Sequence, residues 1–189
     1  MTYDELRKKR LRESLNLDEQ VDSPLVYKVT KEPDKTLDYM FYVTLATIFI
    51  LFHSLFAIAK VDGKSMDPTL TNNQFIMVSK TDKVDRFDIV ILNEREVEAG
   101  PAKKVVKRVI GMPGDTVTVL NGELFINDKK YEEDYLDEKN IKKWKQTSFT
   151  TKVPKNHYFV MGDNRDISKD SRMVGNFVDS AVVGVKMFE

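Results

Sequence analysis

The sequence has no cysteine and only two histidines, His53 and His157. The first absence excludes disulfides, thiolate zinc sites and cysteine nucleophiles. It leaves the compartment open, because reducing and exported settings both tolerate a cysteine-free chain. The second excludes a histidine-rich metal centre, and a carboxylate-only metal site has no supporting pattern. An excess of charge is also missing. Thirty Lys and Arg are matched by 30 Asp and Glu, so no overall field favours nucleic acid. Internal repeats and low-complexity tracts are absent too. What is present is a chain of 189 residues, 41% apolar and 32% charged, enough for one ordinary domain with additional segments.

Charge disappears altogether from residue 39 to residue 59. As a helix this run rises about 31 Å, close to the roughly 30 Å hydrocarbon thickness of a bilayer. Asp38 and Lys60 bracket it, and Tyr39 and Tyr42 suit one headgroup level. A buried globular helix would have only Thr44, Thr47, His53 and Ser54 as its polar edge. A cleaved signal peptide is the other alternative, since Ala57-Ile58-Ala59 has the A-x-A form. The run is too long for a usual apolar signal region, however, and so is the tail before it. We read it as a retained anchor and leave processing after Ala59 open. Lys28, Lys31 and Lys35 on one flank balance Lys60, Lys64 and Lys80 on the other. The cluster Arg7-Lys8-Lys9-Arg10 with Arg12 tips the balance to a cytoplasmic N-terminus.

Residues 1–38 read as a charged, solvated tail, with a short helix near residues 3–15 and breaks at Asp22-Ser23-Pro24 and Glu32-Pro33-Asp34. After Lys60 the pattern turns to short β-rich runs. Strands are expected at 74–79, 87–92, 105–110, 116–120, 123–126, 158–161 and 177–187. Asn121-Gly122 signals a type I′ hairpin between two of them. Residues 129–150 are rich in charge and read as an exposed, partly helical insertion. The expected fold is thus a mostly β domain over 60–189 following one transmembrane helix at 39–59.

Ser65 lies in Gly63-Lys64-Ser65-Met66-Asp67-Pro68-Thr69-Leu70, a few residues after the apolar run. A free serine hydroxyl is a poor nucleophile near neutral pH and needs a base within hydrogen-bond reach. The histidines suit that role badly. His53 lies within the apolar run, and His157 sits in a turn-like stretch before a strand. A lysine can serve if burial keeps it neutral. About forty residues after Ser65 comes Lys107-Arg108-Val109-Ile110-Gly111-Met112-Pro113-Gly114-Asp115. On a strand, Lys107 shares a face with Val105 and Val109 while Val106, Arg108 and Ile110 share the other. A lysine on an apolar face is what the chemistry requires, although a surface lysine is the blander reading. The turn around Ser65 could aim backbone N–H groups at a developing oxyanion. A third segment, residues 158–172, runs from a strand into a loop dense in Asp, Asn, Arg and Ser. Asp163, Asp166 and Asp170 could be Ca²⁺ ligands, but the EF-hand spacing is missing, and Arg165 and Arg172 are available to pair with them. We favour an ion-paired scaffold loop.

Taken together, these three segments resemble the bacterial type I signal peptidases, in the single-span form of Gram-positive members. Phe87-Asp88-Ile89-Val90 is similar to a further strand motif of that family. The resemblance covers roughly residues 39–189 and implies a signal-peptidase-like β domain. It implies Ser65 as nucleophile and Lys107 as general base, with Ser168 hydrogen-bonding Lys107. Asp163 would pair with Arg108 or Arg172, and Asp170 with Arg172. Leu92 and Val160 would desolvate the lysine, while Met66, Leu70, Val61 and Val106 would line pockets for small substrate side chains. No cofactor or metal is implied. The partners implied are preproteins carrying signal peptides, the lipid bilayer and a nearby secretion translocon, with no nucleic acid. The place implied is the plasma membrane, with the catalytic domain on its outer face.

This chain departs from the pattern in places. Gly63 stands where some relatives have a serine that donates to the oxyanion, so the hole would use the Ser65 amide and an unidentified second donor. Phe87 replaces a glycine common elsewhere. Two rival readings remain. A self-cleaving repressor-type Ser–Lys protease is opposed by the span and by the lack of a helix-turn-helix candidate. A non-catalytic assembly factor for pili or envelope proteins is the other.

Overall fold

The computed structural model describes residues 2–14, 35–94 and 103–188. The expected breaks near residues 22–24 and 32–34 lie outside these. The chain forms two units, one up to Thr44 and one from Leu45 on. In the first, α1 spans Tyr3–Ser14 with Asp4 and Glu5 in its first turn and Arg12 in its last, the arrangement that complements the helix dipole. No residue of α1 is buried.

Helix α2 spans Lys35–Leu55 and is long and apolar enough to cross a membrane. Its large side chains, among them Phe41, Ile48, Phe49 and Ile50, are exposed. The helix ends earlier than the charge-free run. Phe56–Lys60 is instead a strand, β1, paired antiparallel with β2 (Phe75–Ser79). The reason is local. Lys80 donates its backbone N–H to the Leu55 carbonyl and its Nζ to the His53 carbonyl, closing the helix end. Ala57 and Ala59 then pack on a buried cluster. The A-x-A tripeptide is therefore part of a paired strand. The charge-free helical part, residues 39–55, rises about 26 Å.

The remaining strands are β3 (Ile89–Glu94), β4 (Lys103–Gly111), β5 (Thr116–Leu120), β6 (Glu123–Ile126), β7 (Lys129–Tyr131), β8 (Phe149–Lys152), β9 (His157–Met161), β10 (Phe177–Val178) and β11 (Val182–Lys186). They form a seven-stranded sheet of order β1-β2-β11-β3-β4-β9-β10 and a four-stranded sheet of order β7-β6-β5-β8. The β5–β6 hairpin turns at Asn121 and Gly122, both with positive φ, as the type I′ turn requires. The expected strand 177–187 is divided by a 3-10 turn at Asp179–Ala181, because β10 pairs with β9 whereas β11 lies between β2 and β3. The expected strand at 87–92 starts at Ile89, since Phe87 has φ +70. A bulky residue is disfavoured there, and the Phe87 ring packs against Tyr131 and Tyr135.

Residues 129–150 are not the exposed insertion that their charge suggests. They contribute β7, two short 3-10 turns and the start of β8. Trp144 is only 2% exposed and lies in one core with Val117, Val119, Leu124, Ile126, Val153 and Phe159. The large apolar ring enters the core while the lysines around it stay exposed.

Candidate active site

Strand β4 brings the site together. Lys107 lies opposite Val90 of β3, and Val90, Leu92, Val109 and Val160 form a fully buried cluster on the face that Lys107 shares with Val105 and Val109. The lysine itself is 4% exposed. Its Nζ lies 2.9 Å from Ser65 Oγ. Burial pushes its pKa below the usual lysine value, and the nearby charges of Asp170 and Glu94 only partly oppose that shift. An amine held neutral in this position can accept a hydroxyl proton.

Ser65 is presented by a turn rather than by a regular element. Val61 N–H donates to Gln74 O, and Asn73 N–H returns to Val61 O, fixing the base of the turn against the start of β2. Gly63 has φ +95, and its N–H donates to Asn72 Oδ1. That amide is therefore engaged, whereas among the described residues the Ser65 N–H has no acceptor. Val61, Met66 and Leu70 are buried in a cluster with Ile76, Val78, Ile89 and Ile91, against which the half-buried Val106 packs. The four residues expected to line substrate pockets thus pack in one apolar cluster, which Met66 joins directly after Ser65.

The loop after β9 closes the site from the other side. Asn164 N–H donates to the Ser65 carbonyl at 3.1 Å. A side chain at Gly162 would collide with that same carbonyl and with the Ser168 hydroxyl. Asp163, fully buried, accepts from Arg108 Nε at 2.9 Å, from Arg108 Nη2 at 2.6 Å and from Thr69 Oγ1 at 2.5 Å. Asp170 accepts from Gly162 N–H at 3.0 Å and from Arg172 Nε and Nη2 at 2.8 Å each. Burial alone would raise the Asp170 pKa. The hydrogen bonds and charge of Arg172, with the Gly162 N–H, outweigh burial and hold it below the usual carboxylate value. The Ca²⁺-loop alternative loses its ligands in this arrangement, since Asp163 and Asp170 hold arginines while Asp166 accepts the backbone N–H groups of Lys143 and Trp144.

Two expectations for this loop change. Ser168 is 5% exposed and close to Asp170, but among the described residues its hydroxyl has no hydrogen-bond partner, so the expected bond to Lys107 is not formed. Lys107 Nζ is directed at Ser65 Oγ instead. Arg165 pairs with Glu133 at 2.6 Å rather than with a carboxylate of its own loop. Glu133 and Tyr135 reach the site from outside the three segments that suggested chemistry, while Thr69 and Asn164 lie within those segments but had no role read for them. The available signal was the interleaving of Tyr131, Tyr135 and the single tryptophan among the charges of 129–150, because aromatic residues at that density are rarely left in solvent.

The family described as signal peptidase, peptidase S26, matches residues 35–189. Signal peptidase I S of Bacillus subtilis (strain 168) is 41% identical over 167 residues, covering 80% of this chain and 87% of that protein. Signal peptidase I of Streptococcus pneumoniae serotype 4 is 34% identical, covering 75% and 89%. A crystal structure of a signal peptidase I from Enterococcus faecalis V583 is 32% identical and covers 55% of this chain and 97% of that one, with a TM-score of 0.45. The family match over residues 35–189, with the 41% and 34% identities to the Bacillus subtilis and Streptococcus pneumoniae proteins, shows that the chain belongs to the signal peptidase family, peptidase S26.

Proposed function

We propose that this serine peptidase removes signal peptides from preproteins with Ser65 as nucleophile and Lys107 as general base. The observation that carries the reading is the 2.9 Å hydrogen bond between Lys107 Nζ and Ser65 Oγ, made by a lysine that is buried among apolar side chains. Neutral Lys107 takes the hydroxyl proton as Ser65 attacks the scissile carbonyl. The resulting ammonium protonates the leaving amine. The amine, neutral again, activates water to hydrolyse the acyl-enzyme. The unengaged Ser65 N–H is one donor for the oxyanion.

The apolar cluster of Val61, Met66, Leu70 and Val106, whose Met66 directly follows Ser65, supports a preference for small residues at the −1 and −3 positions. Helix α2 supports anchoring in a lipid bilayer. The cluster Arg7-Lys8-Lys9-Arg10 supports a cytoplasmic N-terminus, with the β domain on the outer face of the plasma membrane where a translocon delivers preproteins. Asp163 with Arg108, and Asp170 with Arg172, serve as the scaffold of the site. A purely assembly-related role is not favoured by relatives named signal peptidase I. The test is incubation of the purified chain in lipid or detergent with one preprotein, with mass spectrometry of the new N-terminus. Cleavage after a small residue is expected, with loss of cleavage in Ser65→Ala and Lys107→Ala. Persistence of cleavage in either variant would overturn the assignment.

A further inference from the structure

Glu133 and Tyr135 lie outside every segment that suggested chemistry, yet both are bound to the residues that hold Ser65 and Lys107 in place. The Tyr135 ring faces the Arg108 guanidinium, 3.9 Å from centroid to Cζ. That guanidinium is gripped in its plane by Asp163 and donates through Nη1 to the Phe87 carbonyl. Arg108 follows Lys107 directly on β4. Tyr135 Oη donates to Glu133 Oε1 at 2.7 Å, and Glu133 accepts from Arg165 Nη2 at 2.6 Å and Nη1 at 3.2 Å. Arg165, with its side chain wholly buried, sends Nε to the Gly162 carbonyl at 3.0 Å. Gly162 and Asn164 are the residues that abut the Ser65 carbonyl.

We propose that Tyr135 and Glu133 are positioning residues for the reaction, fixing Arg108 and Arg165 and through them the placement of Ser65 against Lys107. The proposal rests on the reading that Ser65 and Lys107 are the working pair. Each arginine is bound by its own acid and lies against the tyrosine between them. A buried guanidinium that loses its carboxylate is an uncompensated charge and must move toward water. A guanidinium that loses its aromatic face loses both attraction and packing. Movement of Arg165 releases the Gly162 carbonyl, and movement of Arg108 releases Asp163 in the same loop. Either displaces the surface against which the Ser65 turn rests. A mere strap would affect how much protein folds but not the chemistry of each folded molecule.

The test uses the full chain in detergent with one preprotein substrate, comparing Tyr135→Leu, Tyr135→Phe and Glu133→Gln with the parent and with Ser65→Ala. Rates are normalised to folded protein. Tyr135→Leu is expected to lower kcat by about 10²-fold, as misplacement of reacting groups does, with little change in KM. Its ascending limb in kcat/KM should move to higher pH, because loosened packing readmits water to the Lys107 amine. Tyr135→Phe keeps the ring on Arg108 and should restore most of the rate. Glu133→Gln, nearly isosteric, carries the same test if Tyr135→Leu fails to fold, and should lower kcat by at least about tenfold. Parental kcat and an unmoved pH limb in both Tyr135→Leu and Glu133→Gln, beside an inactive Ser65→Ala, would overturn the positioning role alone. Cleavage that survives Ser65→Ala would overturn the underlying reading and this proposal with it.

Discussion

The four-stranded sheet fills its interior with Val117, Val119, Leu124 and Ile126, roofed by Trp144, Val153 and Phe159, whereas the seven-stranded sheet and its following loop bury Lys107, Arg108, Asp163, Arg165 and Asp170. Both pack tightly, but most of the buried charge lies with the second, and enclosing charge costs stability unless each ion is partnered. There, four of the five buried ions are matched: Arg108 to Asp163, Arg172 to Asp170 and Arg165 to Glu133. Lys107 is the exception, with Ser65 Oγ as its near neighbour. The contrast teaches that polar burial in this molecule is concentrated around Lys107, the proposed base, within a frame of ion pairs.

That contrast can be broken by exchanging its terms. Lys107→Met should lower kcat/KM by about 10²–10⁴-fold, the usual contribution of a general base. It should leave the thermal midpoint unchanged or higher, because an apolar chain of similar length replaces a desolvated amine. A clear fall in the midpoint would mean that the lysine is structural. Asp163→Asn strands the Arg108 charge and should cost about 3–5 kcal/mol in urea unfolding; a loss under about 1 kcal/mol would place that pair among surface salt bridges. Leu124→Ala, in the other sheet, should cost about 2–5 kcal/mol by leaving a cavity. Its kcat per folded molecule should stay at the parental value, the opposite of Lys107→Met. At the small end, Lys130→Ala removes an ion pair whose side chains are 51% and 53% exposed. It should shift stability by less than about 1 kcal/mol.

Much of the candidate site's geometry was legible because its residues stand in short local patterns. Ser65 stands in a turn marked by Gly63 and Asp67-Pro68, and Lys107 stands among valines whose alternation places it on an apolar face. Most strands were legible for the same reason, and the Asn121-Gly122 hairpin required only its turn residues. What local pattern could not supply was the competition between elements. The apolar run through Ala59 reads as one helix, but pairing with β2 claims its last residues as a strand. The stretch 129–150 reads as solvated from its charge, yet Trp144, Tyr131 and Phe149 join a core that other segments complete. Glu133 and Arg165 are far apart in the chain, so only the fold could reveal them as partners. Phe87 reads as a strand residue, although its backbone lies in the left-handed region.

The central claim is that a buried, neutral Lys107 activates Ser65, and the pH dependence of kcat/KM tests it most directly. Desolvation lowers the Lys107 pKa, with the charges of Asp170 and Glu94 only partly restoring it. The neutral fraction therefore grows as pH rises through that lowered value, and the rate should climb with it. An ascending limb centred below about 10.4, the value of a free lysine, is expected. An ascending limb centred at the free-lysine value would contradict it.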